Sequence, residues 1–120
     1  MDLEGWGYED VLPYFKKSEN FVSDVENKDI YHGVGGELTV TKDNWKEPIT
    51  EVFLNAGKEL GYDVGDINGE FQTAGFTLSH VTMENGSRKG TFKSFAQKFV
   101  GDNLSVLTYS QVRKVLIEDK

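Results

Sequence analysis

Between Pro48 and Gly61 the apolar residues Ile49, Val52, Phe53, Ala56 and Leu60 fall on one stripe of a 3.6-residue period. Pro48 stands at a first helical position, where the missing N–H would have had no partner, and Gly61 stands where a helix ends in a left-handed residue. A stripe of this width has to be covered by a neighbour, so the helix must lie on another element. Two more stripes repeat the pattern. Tyr8, Val11, Leu12 and Phe15 are spaced i, i+3, i+4, i+7 and run into Lys16 and Lys17, which suit a C-terminal helix dipole. Pro13 constrains that helix to begin near Glu9 or Asp10, with the proline inside the first turn. Phe92, Phe95, Ala96 and Phe99 form the third stripe, opened near Gly90 or Thr91 and closed by Gly101.

Extended structure is expected around these helices, giving a mixed α/β chain. Leu104 and Val106 alternate with polar residues, and Val112, Val115, Leu116 and Ile117 form an aliphatic run rich in β-branched residues. Two short strands joined around Tyr109 to Gln111 follow from this. A strand at a terminus leaves a row of unpaired backbone groups, so its partners are expected on polypeptide outside these residues. The polar stretch from Ser18 to Asp29 reads as loop. From Gly61 to Gly75, glycines interleave with Asp63, Asp66 and Asn68, a composition for turns and positive φ rather than regular structure. No repeat or Pro/Ser-rich linker marks a second domain.

At 120 residues the chain fits one domain able to bury roughly two-thirds of its unfolded surface. Thirteen Lys and Arg against twenty Asp and Glu give a net charge of -7, which repels phosphate backbones and excludes nucleic acid as a natural partner. The apolar runs are far below the roughly 18 residues of a membrane span. Cysteine is absent, which removes disulfides, thiolate metal sites and cysteine nucleophiles together. Asn85-Gly86-Ser87 and Asn103-Leu104-Ser105 match the glycosylation acceptor pattern, which matters only in a secreted parent. Composition leaves the compartment unknown.

The candidate motifs resolve mostly toward structure. His32-Gly33-Val34-Gly35-Gly36 is glycine-rich, but loop precedes it and strand follows, the reverse of a dinucleotide fingerprint, so its glycines are assigned to a turn. With Gly69 fixed at the sixth position of a calcium loop, Val64 and Gly75 fall at the first and twelfth, where neither can donate carboxylate oxygen. Asn68-Gly69 then reads as a turn. His32 and His80 lack a motif and are read as ordinary hydrogen-bonded or exposed histidines. The aromatic residues Trp6, Phe53, Phe92, Phe95 and Phe99 are read as core. No catalytic residue and no metal site is assigned.

Four segments in order carry a family resemblance: GWGYEDVLPYFKKSE from Gly5 to Glu19, YHGVGGELTV from Tyr31 to Val40, AGKELGYDVGDINGEFQTAGF from Ala56 to Phe76, and NLSVLTYSQVRKVLI from Asn103 to Ile117. Together they resemble the glucose-methanol-choline family of FAD-dependent alcohol oxidoreductases, in its arthropod glucose-dehydrogenase-like branch. The likeness spans most of this sequence but only an internal stretch of the family. It implies a fragment of a Rossmann-like FAD-binding fold with its cofactor-covering and substrate-side insertion, rather than a complete domain. Residues 1–102 would supply the covering region and 103–120 the strands returning to the FAD-binding sheet.

The resemblance further implies FAD as cofactor, a small alcohol or sugar as substrate, and the remainder of a parent polypeptide as partner. It places Val112 where a backbone C=O and N–H pair with the adenine edge, a task an extended residue performs whatever its side group. A plain core-strand valine is the alternative reading. The family's glycine fingerprint lies upstream of these segments and its catalytic histidine downstream, so the 120 residues in isolation are expected to be inactive. If that parent has a secretory leader, the protein would be extracellular. Glu37 stands where the family usually has proline, and Arg88-Lys89 runs into Gly90-Thr91-Phe92 instead of a Ser-Thr pair and alanine, so the reaction class transfers better than the substrate. The reading from another class is a free-standing acidic binding module that uses the Gly61–Gly75 loop for a ligand.

Overall fold

The computed structural model describes residues 3–25, 28–42, 47–70 and 74–117. Helix α1 (Tyr8–Ser18) opens earlier than its proline suggests, because the Asp10 carboxylate accepts the Gly7 N–H at 3.0 Å and caps the first turn. Pro13 is therefore the sixth helical residue, and the Glu9 carbonyl loses the donor it would otherwise have had. Solvent can serve that carbonyl, because α1 has no buried residue. Strand β1 (Glu19–Phe21) follows without a break inside the stretch expected to be loop.

A short helix, α2 (Lys28–Tyr31), and the glycine turn lead back to β2 (Leu38–Lys42). β2 is the middle strand of a three-stranded sheet. It pairs parallel with β1 in the register Glu19↔Leu38, Asn20↔Thr39, Phe21↔Val40. Helix α3 (Pro48–Glu59) has the expected bounds, with Gly61 at φ +83° just beyond its end. Strands β3 (Asp63–Val64) and β4 (Gly75–Phe76) then pair in parallel, so the glycine-rich loop is closed at its base by a ladder that composition did not announce. β5 (His80–Val81) adds to β2 antiparallel, with Lys42 opposite His80. β6 (Met83–Glu84) and β7 (Ser87–Arg88) make a hairpin around Asn85-Gly86, whose φ values of 49° and 75° are those of a tight primed turn.

α3 is seated through its one buried residue, Gly57, where an added Cβ would lie 2.7 Å from the Phe76 ring. Phe76 in turn meets Phe53 and Tyr62 edge-on at centroid distances of 5.3 and 5.6 Å, so helix, loop and β4 share one aromatic cluster. The hairpin is fixed to the sheet by Glu84. Its carboxylate accepts the hydroxyl of buried Thr39 at 2.9 Å and the Lys89 ammonium at 2.6 Å. Lys89 first, and then Thr39, hold the Glu84 carboxyl below the usual carboxylate range.

Two further expectations fail. The stripe of Phe92, Phe95, Ala96 and Phe99 is not an α-helix but a π turn (Phe92–Ala96) continued by a 3-10 turn (Gln97–Phe99). Both close before Gly101 at φ +98°. The two strands expected over Leu104–Ile117 do not form among the described residues, where the only pairing is the Val100–Leu104 bridge. The residues there have strand propensity, but a ladder needs a partner strand, and none of the described strands pairs with them.

Apolar burial is sparse as well. Among the described residues Phe21, 3% exposed, is the one buried large hydrophobe, while Trp6, Phe15, Phe53 and Leu116 keep more than half their surface open. The radius of gyration of 18.7 Å exceeds the roughly 14 Å of a close-packed polypeptide this long. The aromatic residues assigned to a core therefore lie largely uncovered by the described residues.

Candidate functional site

What little core exists is built around histidine. β1 delivers Glu19 and Phe21, α2 leads directly into His32, the glycine-rich loop brings Asp66, and β5 brings His80. The Phe21 ring stacks on His32 at a centroid distance of 3.8 Å and meets His80 at 4.9 Å. Two clefts flank this group. One of about 690 Å³ is lined by Glu19, His32, Phe15 and Ile67, the other of about 510 Å³ by Lys42, Val64, Asp66 and His80.

The path into the cluster explains the glycines of HGVGG. Only Gly35, at φ +85°, is there for a left-handed turn. Gly33 and Gly36 are there for lack of a side group. A Cβ on Gly33 would collide with the Lys16 carbonyl, and one on Gly36 would lie 2.5 Å from the Glu19 carbonyl oxygen. The close approach lets Phe21 N–H donate to Gly33 C=O at 2.8 Å and Gly36 N–H to Glu19 C=O at 3.0 Å. Lys16 closes the other side, its ammonium donating to the carbonyls of Asp29 and Ile30 at the end of α2.

His32 is thereby held between two carboxylates. Its Nδ1 lies 3.1 and 3.2 Å from the two Glu19 oxygens, and its Nε2 lies 2.7 Å from Asp66 Oδ2. Glu19 also accepts the Gly33 N–H at 2.9 Å. Asp66 Oδ1 accepts the Asn68 N–H at 2.9 Å, and Gly69 N–H donates to Asp66 C=O, so Asn68-Gly69 is a turn as expected, organised by Asp66. The His32 and Asp66 side chains are 5% and 8% exposed. Both nitrogens of His32 are engaged, so it offers no free lone pair to a substrate.

His80 is different. Its Nδ1 stands 3.7 Å from Asp66 Oδ1, too far for a hydrogen bond, and its buried Nε2 has no partner among the described residues. Burial holds this imidazole below its ordinary 6.5; the Asp66 charge opposes that, while His32 and Lys42 reinforce it. Since the unfolded state takes up a proton at this position as pH falls through 6.5 and the folded state does not, stability is lost below 6.5. The loss is complete once pH passes below the folded value. Denaturation midpoints from pH 8 to pH 5 should show this limb, and His80→Gln should flatten it; an identical limb in both proteins would exclude His80 as its source.

No group of three or more His, Cys, Asp or Glu among the described residues is arranged to hold a metal ion. Likewise no helix among them is long and apolar enough to cross a membrane. Val112, the residue expected at the adenine edge, lies apart from the cluster and lines neither flanking cleft. It is 80% exposed in the strand-free segment, and its backbone N–H and C=O make no hydrogen bond among the described residues. Sequence reasoning missed the histidine cluster. Glu19, His32, Asp66 and His80 are up to 61 positions apart and share no motif. The one usable signal was polar residues of acid and imidazole type placed beside strand and glycine positions.

Comparison with known proteins fixes the family. Residues 1–120 match the family model described as GMC oxidoreductase. The sequence is 41% identical over 94% of its length to a glucose dehydrogenase (FAD, quinone) of Drosophila pseudoobscura pseudoobscura, of which it covers 18%. It is 33% identical over 98% of its length to an oxygen-dependent choline dehydrogenase of Vibrio vulnificus, of which it covers 21%. The chain thus spans about a fifth of the length of these curated relatives. With its helices, its small sheets and a match running from first residue to last, the chain belongs to the GMC oxidoreductase family.

Proposed function

We propose that this chain is part of an FAD-dependent oxidoreductase that acts on the CH–OH group of a small alcohol or sugar, and that the 120 residues alone do not catalyse. The observation that carries the reading is the 41% identity, over 94% of this sequence, to a protein named for glucose, FAD and quinone. FAD, when bound, would supply the acceptor for the carbinol hydride.

The residues present have the supporting part. Val112 fits the adenine edge because its backbone donor and acceptor are both free among the described residues and accessible. The glycine-rich loop and the elements before it would cover the cofactor and shape the approach to it, and residues 103–117 would pair with strands of the parent sheet. Neither histidine suits proton abstraction, as His32 is engaged at both nitrogens and His80 has its free nitrogen buried. The exposed apolar residues of α1 and α3 support the same reading over a free-standing binding module, which would have to keep them in water.

FAD titration by visible absorbance, on the whole polypeptide and on residues 1–120, tests it. The whole polypeptide should be yellow and oxidise an alcohol or sugar, and the isolated 120 residues should bind no FAD. In the whole polypeptide, Val112→Pro deletes the N–H and should weaken FAD binding about tenfold or more, while Val112→Ala should leave it nearly unchanged. Isolated residues 1–120 that bind FAD and dehydrogenate an alcohol would refute the proposal. Equal binding by both variants would remove Val112 from the site.

A further inference from the structure

The dipeptide Asn-Gly occurs twice, at Asn68-Gly69 and at Asn85-Gly86, in two different settings. An asparagine carries its side-chain carbonyl carbon within reach of the next residue's main-chain nitrogen, so the two can close a five-membered ring, and a following glycine leaves that nitrogen unshielded. Ring closure then depends on whether the nitrogen is free to attack.

At Asn68-Gly69 it is held. Gly69 is buried and its N–H donates to Asp66 C=O at 3.2 Å, while Asp66 Oδ1 takes the Asn68 N–H at 2.9 Å. Asp66 is itself anchored on His32, so the Gly69 nitrogen is released only when the loop opens. At Asn85-Gly86 the same atoms are open. Asn85, Gly86 and Ser87 are all exposed, and neither the Asn85 side chain nor the Gly86 N–H makes a hydrogen bond among the described residues. Nothing lies within 4 Å of where a Gly86 Cβ would stand, so water reaches the reacting atoms.

We infer that Asn85, at the tip of the β6–β7 hairpin, is a site of spontaneous modification, and that its conversion to isoaspartate loosens the hairpin from β2. The Gly86 nitrogen loses its proton to solvent and bonds to the Asn85 side-chain carbonyl carbon. The bond from that carbon to the amide nitrogen breaks, and ammonia leaves with a proton taken back from solvent. Water then opens the cyclic imide, at one carbonyl to give aspartate and at the other to give isoaspartate. One water enters and one ammonia departs, with no change of oxidation state. In isoaspartate the main chain runs through the former side-chain carbon and is longer by one atom. The turn fits two residues between the paired Glu84 and Ser87, and the longer chain does not match that register. Glu84 is the residue whose carboxylate accepts the Thr39 hydroxyl of β2, so the attachment of hairpin to sheet is lost with the register.

The test uses the whole polypeptide made in a bacterial cytosol, where Asn85-Gly86-Ser87 receives no glycan, and aged in warm, mildly alkaline buffer. Mass spectrometry of the two Asn-Gly peptides, with chromatographic separation of aspartate from isoaspartate, follows the reaction. Asn85 should convert at least about tenfold faster than Asn68. Hydrogen exchange at the Lys89 N–H, which donates to Thr82 C=O at 3.0 Å in the hairpin, reads the loosening, and its protection should fall as conversion proceeds. Asn85→Gly keeps a residue suited to φ 49° and removes the reacting side chain, so its Lys89 protection should not change with age. Conversion at Asn85 no faster than at Asn68 would overturn the inference, as would Lys89 protection that stays constant in the ageing parent or falls equally in Asn85→Gly. Neither FAD nor substrate takes part, so failure here is separable from failure of the proposed function.

Discussion

Replacing Gly33 by alanine should cost the protein about 3–5 kcal/mol, the largest effect of any single methyl group in the described residues. The position of that methyl group is occupied by the Lys16 carbonyl, which is backbone and cannot swing aside as a side group would. To admit it, the turn must move off the end of α1. That movement breaks the Phe21 N–H bond to Gly33 C=O and the Gly33 N–H bond to Glu19, and it drags His32 from between its carboxylates. Overpacking alone would cost about 1–3 kcal/mol, and each buried hydrogen bond lost adds about 1 kcal/mol or more.

The neighbouring glycines provide the scale. Gly35→Ala meets open space but must hold φ +85°, at about 1–2 kcal/mol. Gly90→Ala meets open space with no such backbone constraint and should fall within about 0.5 kcal/mol of the parent. Urea midpoints of the three variants, measured on the whole polypeptide, should rank in that order. If Gly33→Ala unfolds together with Gly90→Ala, the close packing of α1 against the turn is wrong.

The elements that could be read in the sequence are those whose signal is local. Pro48 and Gly61 bracket α3 because a proline start and a left-handed end are properties of two residues. β1 was hidden because Glu19 and Asn20 are polar. They are held in a strand by β2 and the glycine turn rather than by their own propensity. The reverse holds for Val112 to Ile117, which have the propensity and no partner among the described residues. In the third stripe, helical spacing of the phenylalanines was correct as a pattern, but the Gln97 N–H reaches back to Phe92 C=O, five residues away, and widens the turn.

The site was less legible than the fold, for a related reason. HGVGG could be recognised as a turn, but two of its glycines answer to a backbone that only tertiary structure brings near. His32 and His80 carry no motif because their partners come from β1 and from the glycine-rich loop, and sequence order does not encode that convergence. Asp66 shows the point most clearly. As a turn former it is explained by Asn68 and Gly69, a local fact, whereas its bond to His32 crosses 34 positions. The family resemblance, by contrast, rested on the order of four segments and needed no contact to be known.

His32→Leu should be the most damaging side-chain replacement in the cluster, at about 3–5 kcal/mol. Leucine is of similar bulk and stacks acceptably on Phe21, so the loss is not mainly one of packing. It leaves a buried Asp66 and a half-buried Glu19 carboxylate without the ring that bridges them, each retaining a single backbone N–H. The cost lies in those stranded charges, and this gives the prediction a signature that simple destabilisation lacks. Adding Glu19→Gln and Asp66→Asn to His32→Leu removes the charges while keeping an oxygen for Gly33 and for Asn68. The triple variant should therefore be more stable than His32→Leu alone, although it carries two more substitutions in the same site. Urea denaturation of the whole polypeptide at one pH suffices for the comparison. Stability falling further with each added substitution would mean that His32 contributes shape and not charge, and the electrostatic account of this core would have to be abandoned.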